Sequence, residues 1–178
     1  MLTLILGGAR SGKSRLAQRL AAQAARVAYI ATAQVNQDME MAARIERHRA
    51  ERPNSWWTIE ASIDLACAVE RAANASEAII VDCLTIWLSN LFFQHRDGAP
   101  QQVENCVRKQ LERMAAVGRS CHLILVSNEV GCGTVPEPAL TRAFRDAQGF
   151  LNQWAAEAAD DVVLAVAGLP MYLKARTA

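Results

Sequence analysis

The first 14 residues restrict the possible folds of this chain more than any other segment. An apolar run, Leu2–Leu6, leads into GGARSGKS, and Lys13–Ala25 then has the spacing of an amphipathic helix. The order is therefore strand, glycine loop, helix. The residues that satisfy the pattern G-x-x-x-x-G-K-[ST] in this context are Gly7, Gly12, Lys13 and Ser14. We predict a phosphate-binding P-loop, because motif, strand and helix coincide.

The chemistry of the loop follows from its residue types. Glycines allow backbone N–H groups to surround phosphate oxygens, and the helix adds a partial positive charge. Lys13 reaches the β and γ phosphates, and the Ser14 hydroxyl binds Mg²⁺. The predicted nucleotide-binding residues of the loop are Gly7, Gly8, Ala9, Arg10, Ser11, Gly12, Lys13 and Ser14. Kinases, motor ATPases, GTPase switches and nucleotidyltransferases share such a loop, so other residues must indicate the reaction.

Further apolar runs predict strands over Val27–Ala31, Ala78–Val81, His122–Val126 and Val162–Val166. Their continuous apolar character is typical of a parallel sheet covered on both faces. Helix-favouring composition predicts helices over Gln37–Arg49, Ile63–Ala73, Gln101–Val117 and Ala139–Ala159. We therefore predict an α/β fold of the P-loop NTPase type, with a doubly wound, mostly parallel sheet and helices on both faces. No linker or repeat is visible, so residues 1–178 are predicted to form a single domain.

Asp82 follows the apolar run Ala78–Val81, at the expected carboxyl edge of the sheet. A carboxylate in this position orients Mg²⁺, usually through water. A helix is expected to follow at once, so the alternative is that Asp82 is its N-cap, and one carboxylate could serve both purposes. Ser14 and Asp82 are the predicted magnesium residues.

Composition narrows the choice of partners and compartment. The 19 Lys and Arg balance 18 Asp and Glu, so a net charge of +1 gives no basic field for nucleic acid. The five cysteines are an odd number without a C-x-x-C pair, which favours reduced thiols in the cytoplasm. No signal peptide is visible, and the longest apolar stretch, Ala78–Phe93, is too short for a membrane span. We predict a cytoplasmic protein that binds no nucleic acid and does not cross a membrane.

A histidine lies within a cluster of arginines in the segment NQDMEMAARIERHRAERP. Helical spacing places His48 on one face with Met41 and Ile45. The arginines close to it in sequence are Arg44, Arg47, Arg49 and Arg52. This pattern alone leaves two interpretations open: a phosphate-handling site, or a histidine on an apolar helix face with solvated arginines.

Five blocks of sequence resemble one enzyme family. They are GGARSGKS, YIATAQ, DMEMAARIERHRAERP with WWTIE, VDCLTIWLSNL and VSNEVGCGTVP, in that order between residues 4 and 136. The chain is similar in these blocks to the adenosylcobinamide kinase and adenosylcobinamide-phosphate guanylyltransferase family. The resemblance implies phosphorylation of adenosylcobinamide with ATP or GTP, followed by transfer of GMP from GTP to that phosphate, giving adenosylcobinamide-GDP in cobalamin biosynthesis.

The resemblance also implies roles for individual residues. His48 matches the histidine that attacks the α-phosphate of GTP and becomes guanylylated. Independently of the resemblance, Asn128 and Glu129 follow the strand His122–Val126, where doubly wound sheets have ligand-contacting loops, so we expect them near substrate or magnesium. The alternative is an ordinary turn. The residues implied in nucleotide binding, besides the P-loop, are Thr32, Ala33, Gln34, Arg49, Ala50, Glu51, Arg52, Glu60 and Asp82.

Two other functions remain open at this point. The chain could be a different P-loop small-molecule kinase, in which His48 has no chemical role, or a RecA-like nucleotide-dependent binding ATPase. The near-zero net charge speaks against DNA binding by the second. Relatives in the resembling family form trimers, so we expect a homo-oligomer.

Overall fold

The computed structural model describes residues 1–33, 46, 49–50, 52–95 and 100–175. They contain one 7-stranded sheet. Its strands are β1 Leu2–Leu6, β2 Val27–Ala31, β3 Trp57–Glu60, β4 Ala78–Asp82, β5 His122–Val126, β6 Asp161–Val166 and β7 Leu169–Lys174. The helices of the described residues are α1 Lys13–Ala21, α2 Leu65–Ala73, α3 Leu84–Gln94, α4 Pro100–Val117 and α5 Ala139–Ala158.

The topology of the sheet brings the ends of distant segments together. The strand order is β3-β2-β4-β5-β1-β6-β7, and every neighbouring pair is parallel except β6 with β7. Backbone register aligns Glu60 with Ala31, Ala31 with Asp82, Asp82 with Val126, and Val126 with Ile5. Because parallel strands end on the same side, these residues form one row across five strands at the carboxyl edge.

Each face of the sheet has its own apolar core. Leu4 and Val81 are fully buried in one core, which also contains residues of α2, α3, α4 and α5. Ile5 and Ile80, their neighbours along the strands, are fully buried in the other core with Leu16 of α1. This alternation follows from the period of two along a strand. The prediction of an α/β fold with a doubly wound, mostly parallel sheet and helices on both faces is confirmed.

The strands predicted from apolar runs are all present, but β3 and β7 are not predicted from the sequence. These two strands are the edges of the sheet. All six residues of β7 are exposed, and β3 contains no buried residue. A continuous apolar run is the signal of a strand covered on both faces, so it does not detect exposed edge strands.

The helices agree with the sequence analysis, with small shifts at their ends. α1 ends at Ala21 rather than Ala25. The predicted helix Gln37–Arg49 falls mostly outside the described residues, and Glu46 and Arg49 within it are helical. In the described ranges, no helix combines the length and the apolar character needed to span a membrane.

Candidate active site

The glycine loop, residues 7–14, connects β1 to α1. Gly12 is the N-cap of α1 and has a left-handed backbone with a φ of 96°. It offers no side chain to cap the first amides of the helix, so these donors and the helix dipole face the loop. Lys13 is only 7% exposed, and its Nζ donates to the Gly8 carbonyl at 2.6 Å. The lysine ammonium and the helix amides are therefore both directed at the loop.

Two positions of this loop must be glycine, because they lie very close to the end of β6 and to the turn that follows it. A Cβ at Gly7 would lie 2.5 Å from the Ala165 carbonyl oxygen, and a Cβ at Gly12 would lie 3.0 Å from the Gly168 Cα. The Gly168 amide also donates to the Ser11 carbonyl at 2.9 Å. The turn between β6 and β7 thus packs against the loop. No sequence signal predicts this contact, because it joins opposite ends of the chain.

Asp82 ends β4, in the row of strand ends described above. Tyr29 Oη donates to Asp82 Oδ2 at 2.7 Å, and the Asp82 carbonyl accepts from the Thr32 amide at 3.4 Å. The N-cap of α3 is Cys83, and no side chain caps that helix. The alternative of Asp82 as a helix cap is therefore not what the structure shows, and its carboxylate is held by a tyrosine instead.

The Cys83 thiol lies within reach of charges from both the loop and β4. Burial, followed by the Asp82 charge, raises the pKa of Cys83 to about 11, against a smaller opposing effect of the Lys13 charge. The thiol therefore stays protonated, and the charges of the loop lysine and of the β4 carboxylate both act on it. A magnesium–phosphate complex needs this pairing of a cation and an acidic group.

Arg52 lies over the ring of Tyr29, with its Cζ 3.5 Å from the ring centroid. Its Nε and Nη1 are buried and have no hydrogen-bond partner among the described residues. Tyr29 itself is 1% exposed, and burial, followed by the Asp82 charge, raises its pKa well above the usual value. The tyrosine therefore stays protonated and donates to Asp82. Unpaired buried guanidinium donors favour an anionic ligand, because leaving them unpaired is costly.

A polar cavity of about 510 Å³ adjoins Arg52. Arg49 lines this cavity. Its Nη2 pairs with Glu60 Oε1 at 2.6 Å, and its Nη1 pairs with Glu46 Oε1 at 3.1 Å. The residues that line the cavity are Arg49, Arg52, Pro53, Asn54, Trp56, Thr58 and Glu60. Its volume is in the range of small-molecule sites, and its two arginines and one carboxylate suit a phosphorylated ligand with hydrogen-bond donors.

Thr32, just after β2, is fully buried and is held by the end of β4. Its Oγ1 donates to the Cys83 carbonyl at 2.8 Å and accepts from the Cys83 amide at 2.9 Å. Asn90 of α3 donates to the Thr32 carbonyl at 2.8 Å. The hydroxyl thus fixes the position of β2 relative to Asp82. The nucleotide contact expected of Thr32, and of the half-buried Ala33 beside it, stays a prediction.

The loop after β5 lies against the glycine loop. The Glu129 amide donates to the Gly7 carbonyl at 3.1 Å, and the Asn128 amide donates to Thr85 Oγ1 of α3 at 2.9 Å. Glu129 Oε1 accepts from the Gly131 amide at 2.6 Å. Asn128 and Glu129 therefore join the glycine loop to the helix that follows Asp82.

A buried polar network from α5 holds the loop after β5. This network is not predicted from the sequence. Ser127 Oγ donates to Asn152 Oδ1 at 2.6 Å, and Gln148 Nε2 donates to both oxygens at 3.0 Å. Asn152 Nδ2 in turn donates to the Asn128 carbonyl at 3.1 Å. The glutamine and asparagine are four residues apart on a helix, a pattern that marks a common face but not its burial. Buried amide networks of this type fix one arrangement of a loop.

Several predicted residues fall outside the described part of the chain. They are Gln34, His48 and Glu51. Arg49, next to His48, and Arg52, next to Glu51, line the cavity, while Ala50 is an exposed helical residue. The structure thus gathers the glycine loop, Asp82, Arg52 and Glu60 at one edge of the sheet. The predicted roles of all these residues remain predictions.

The contact between Gly7 and β6 gives a direct test of the loop architecture. We expect Gly7→Ala to lower the free energy of unfolding by about 2 kcal/mol, because the added Cβ collides with a backbone oxygen. Gly8→Ala is the matched control, since its Cβ meets nothing within 4 Å, and it is expected to change stability by less than about 0.5 kcal/mol. Urea unfolding measures both. Equal stability of the two variants would contradict the close contact.

The chain is similar in sequence to known enzymes over almost its whole length. The sequence profile described as cobinamide kinase / cobinamide phosphate guanyltransferase matches residues 3–173. The bifunctional adenosylcobalamin biosynthesis protein CobP of Pseudomonas aeruginosa is 47% identical over 179 residues, covering 98% of both chains. The bifunctional adenosylcobalamin biosynthesis proteins CobU of Escherichia coli and Salmonella typhimurium are 41% and 40% identical, covering 98% of this chain and 100% of theirs.

These matches confirm the resemblance seen in the five sequence blocks. Of the functions left open by the sequence, neither an unrelated P-loop kinase nor a RecA-like binding ATPase has comparable support. The chain belongs to the cobinamide kinase / cobinamide phosphate guanyltransferase family, an enzyme family of transferases.

Proposed function

We propose that this enzyme phosphorylates the aminopropanol hydroxyl of adenosylcobinamide with ATP or GTP and then transfers GMP from GTP to the new phosphate. The product is adenosylcobinamide-GDP, an intermediate of cobalamin biosynthesis. The observation that carries the proposal is the common location of the glycine loop, Asp82 and the unpaired donors of Arg52 at one edge of the sheet. Family membership supports both reactions.

In the kinase step, the glycine loop binds the β and γ phosphates through the amides of α1 and through Lys13. The donor set of one hydroxyl, Ser14, and one carboxylate, Asp82, fits Mg²⁺, which takes its remaining ligands from phosphates and water. When bound, the ion would neutralise phosphate charge. Asn128 and Glu129 lie on the loop that touches Gly7, and this position supports a contact between them and the incoming substrate.

In the guanylyl step, a ring nitrogen of His48 attacks the α-phosphorus of GTP. The bond from that phosphorus to the bridging oxygen breaks, and pyrophosphate leaves with the electron pair. An oxygen of adenosylcobinamide phosphate then attacks the same phosphorus and releases the histidine. His48 lies outside the described residues, so this assignment rests on the family resemblance and on its neighbours. Nε and Nη1 of Arg52 are suited to stabilise the phosphate oxygens during the attack.

Glu60 supplies a means of recognising the rest of the nucleotide. Its carboxylate ends β3, at the end of the row that contains Asp82, and faces the cavity. A carboxylate accepts hydrogen bonds from the N–H groups of a guanine edge or from ribose hydroxyls. Arg49 holds Glu60 at 2.6 Å and thereby also brings a cation to the same cavity. We infer that Arg49, Arg52 and Glu60 bind GTP together.

The guanylylated intermediate can be detected directly. We expect the enzyme, incubated with magnesium and GTP labelled at the α-phosphate, to retain label that is acid-labile and base-stable, as a phosphoramidate is. His48→Ala should retain none. The matched control is His95→Ala, at the end of α3, which should be labelled like the parent. Full labelling of His48→Ala would remove the nucleophile assignment, and no label in the parent would remove the guanylyl step.

A homotrimer is the second part of the proposal, and an uncovered edge strand supports assembly. The large apolar residues of β7, at 55% to 70% exposure, are Leu169, Met171, Tyr172 and Leu173. Exposed apolar strands at a sheet edge are a common site of association. Equilibrium sedimentation is expected to give three times the mass of 19.4 kDa, and a monomer at all concentrations would contradict the proposal. Cytoplasmic location and the absence of nucleic-acid binding stay predictions.

A further inference from the structure

We propose that Tyr29 is a positioning residue of the nucleotide site, which holds the Asp82 carboxylate with its hydroxyl and the Arg52 guanidinium with its ring. The inference rests on the proposed function, because it assigns magnesium to Asp82 and phosphate to Arg52. Tyr29 itself is not expected to contact the nucleotide or the magnesium ion. It fixes the position of Asp82 relative to Arg52, the two groups that do.

The position of Tyr29 follows from the sheet. It lies in β2, where it pairs with Ile80 of β4, two residues before the strand ends at Asp82. Its ring belongs to the core on the α1 face and is 1% exposed. An apolar side chain would fill this core equally well. The tyrosine differs in carrying a hydroxyl as far as the carboxyl edge, where it meets Asp82 Oδ2 at 2.7 Å.

The hydroxyl restricts the rotation of the carboxylate. Within the described ranges, the hydrogen bond from Tyr29 is the one side-chain contact of this type that Asp82 makes. The bond also has a fixed direction, because the phenol O–H is the donor and the carboxylate oxygen the acceptor. With Oδ2 held by Tyr29, the other carboxylate oxygen, Oδ1, keeps a constant direction towards an ion or towards a water bound to that ion.

The ring restricts the guanidinium in the same way. The Arg52 Cζ lies 3.5 Å above the ring centroid, a cation–π contact in a buried setting. A ring accepts no in-plane hydrogen bonds, so it holds the charge while leaving Nε and Nη1 unpaired with the described residues. A guanidinium stacked for structural reasons alone would be expected to satisfy these donors within the protein. The stack therefore keeps the donors available to phosphate oxygens.

Two variants separate the two functions of the side chain. Tyr29→Phe keeps the ring and removes the hydroxyl, so it releases Asp82 but retains the platform for Arg52. We expect the rate of enzyme guanylylation from GTP to fall about tenfold, with KM for GTP changed less than twofold. We also expect the Mg²⁺ concentration for half-maximal binding of a non-hydrolysable GTP analogue to rise about tenfold. Tyr29→Leu also removes the ring, and should in addition raise KM for GTP about tenfold.

The chain contains two tyrosines, and the second is the matched control. Tyr172 lies on β7, and Tyr172→Phe keeps the exposed apolar ring while removing the hydroxyl, so this variant should leave both the rate and the Mg²⁺ dependence unchanged. A uniform loss of rate in Tyr29→Phe, without a shift in Mg²⁺ dependence, would mean that the hydroxyl only stabilises the core, and would overturn the inference. Parental behaviour of Tyr29→Phe would overturn it as well. If the parent itself acquires no guanylyl group, the proposed function fails instead.

Discussion

The backbone hydrogen bonds between parallel strands align the strand ends around which the described part of the candidate site is built. Register across β3, β2, β4, β5 and β1 places Glu60, Ala31, Asp82, Val126 and Ile5 in one row. A shift by one residue would move each side chain to the opposite face of the sheet. Two separate cores, one on each face, make such a shift costly, because it would expose buried residues of both. The apolar packing therefore protects the geometry of a polar edge.

Polar contacts then connect the strand ends to each other. Thr32 joins β2 to the Cys83 peptide, the Glu129 amide joins the β5 loop to Gly7, and the Gly168 amide joins the β6–β7 turn to Ser11. Each contact is made to backbone, so it fixes the path of the chain rather than one side-chain rotamer. Catalytic groups placed on such a frame require little reorganisation when phosphate charge develops. The proposed roles of Tyr29 and Arg52 extend this frame to the side chains.

The sequence predicts the parts of the site that are local in the chain. The glycine loop is contiguous, and Asp82 follows directly from the end of an apolar run, so the loop, the strand before it and the fold class are all recognisable. The edge strands β3 and β7 are not recognisable from the sequence, because none of their residues is buried. The role of Tyr29 is not predictable either. Within an apolar strand a tyrosine is expected to be a core residue, and its partners Asp82 and Arg52 are distant in sequence. His48 remains a prediction from the family resemblance.

We propose that one edge of the sheet binds the nucleotide and its magnesium ion and carries the side chains that act on both. A crystal structure with Mg²⁺ and a non-hydrolysable GTP analogue would show whether it does. We expect the β and γ phosphates within hydrogen-bond distance of Lys13 Nζ, and the ion on Ser14 with Asp82 reaching it directly or through one water. Phosphates bound away from residues 7–14, or an ion remote from Asp82, would show that this edge is not the nucleotide site.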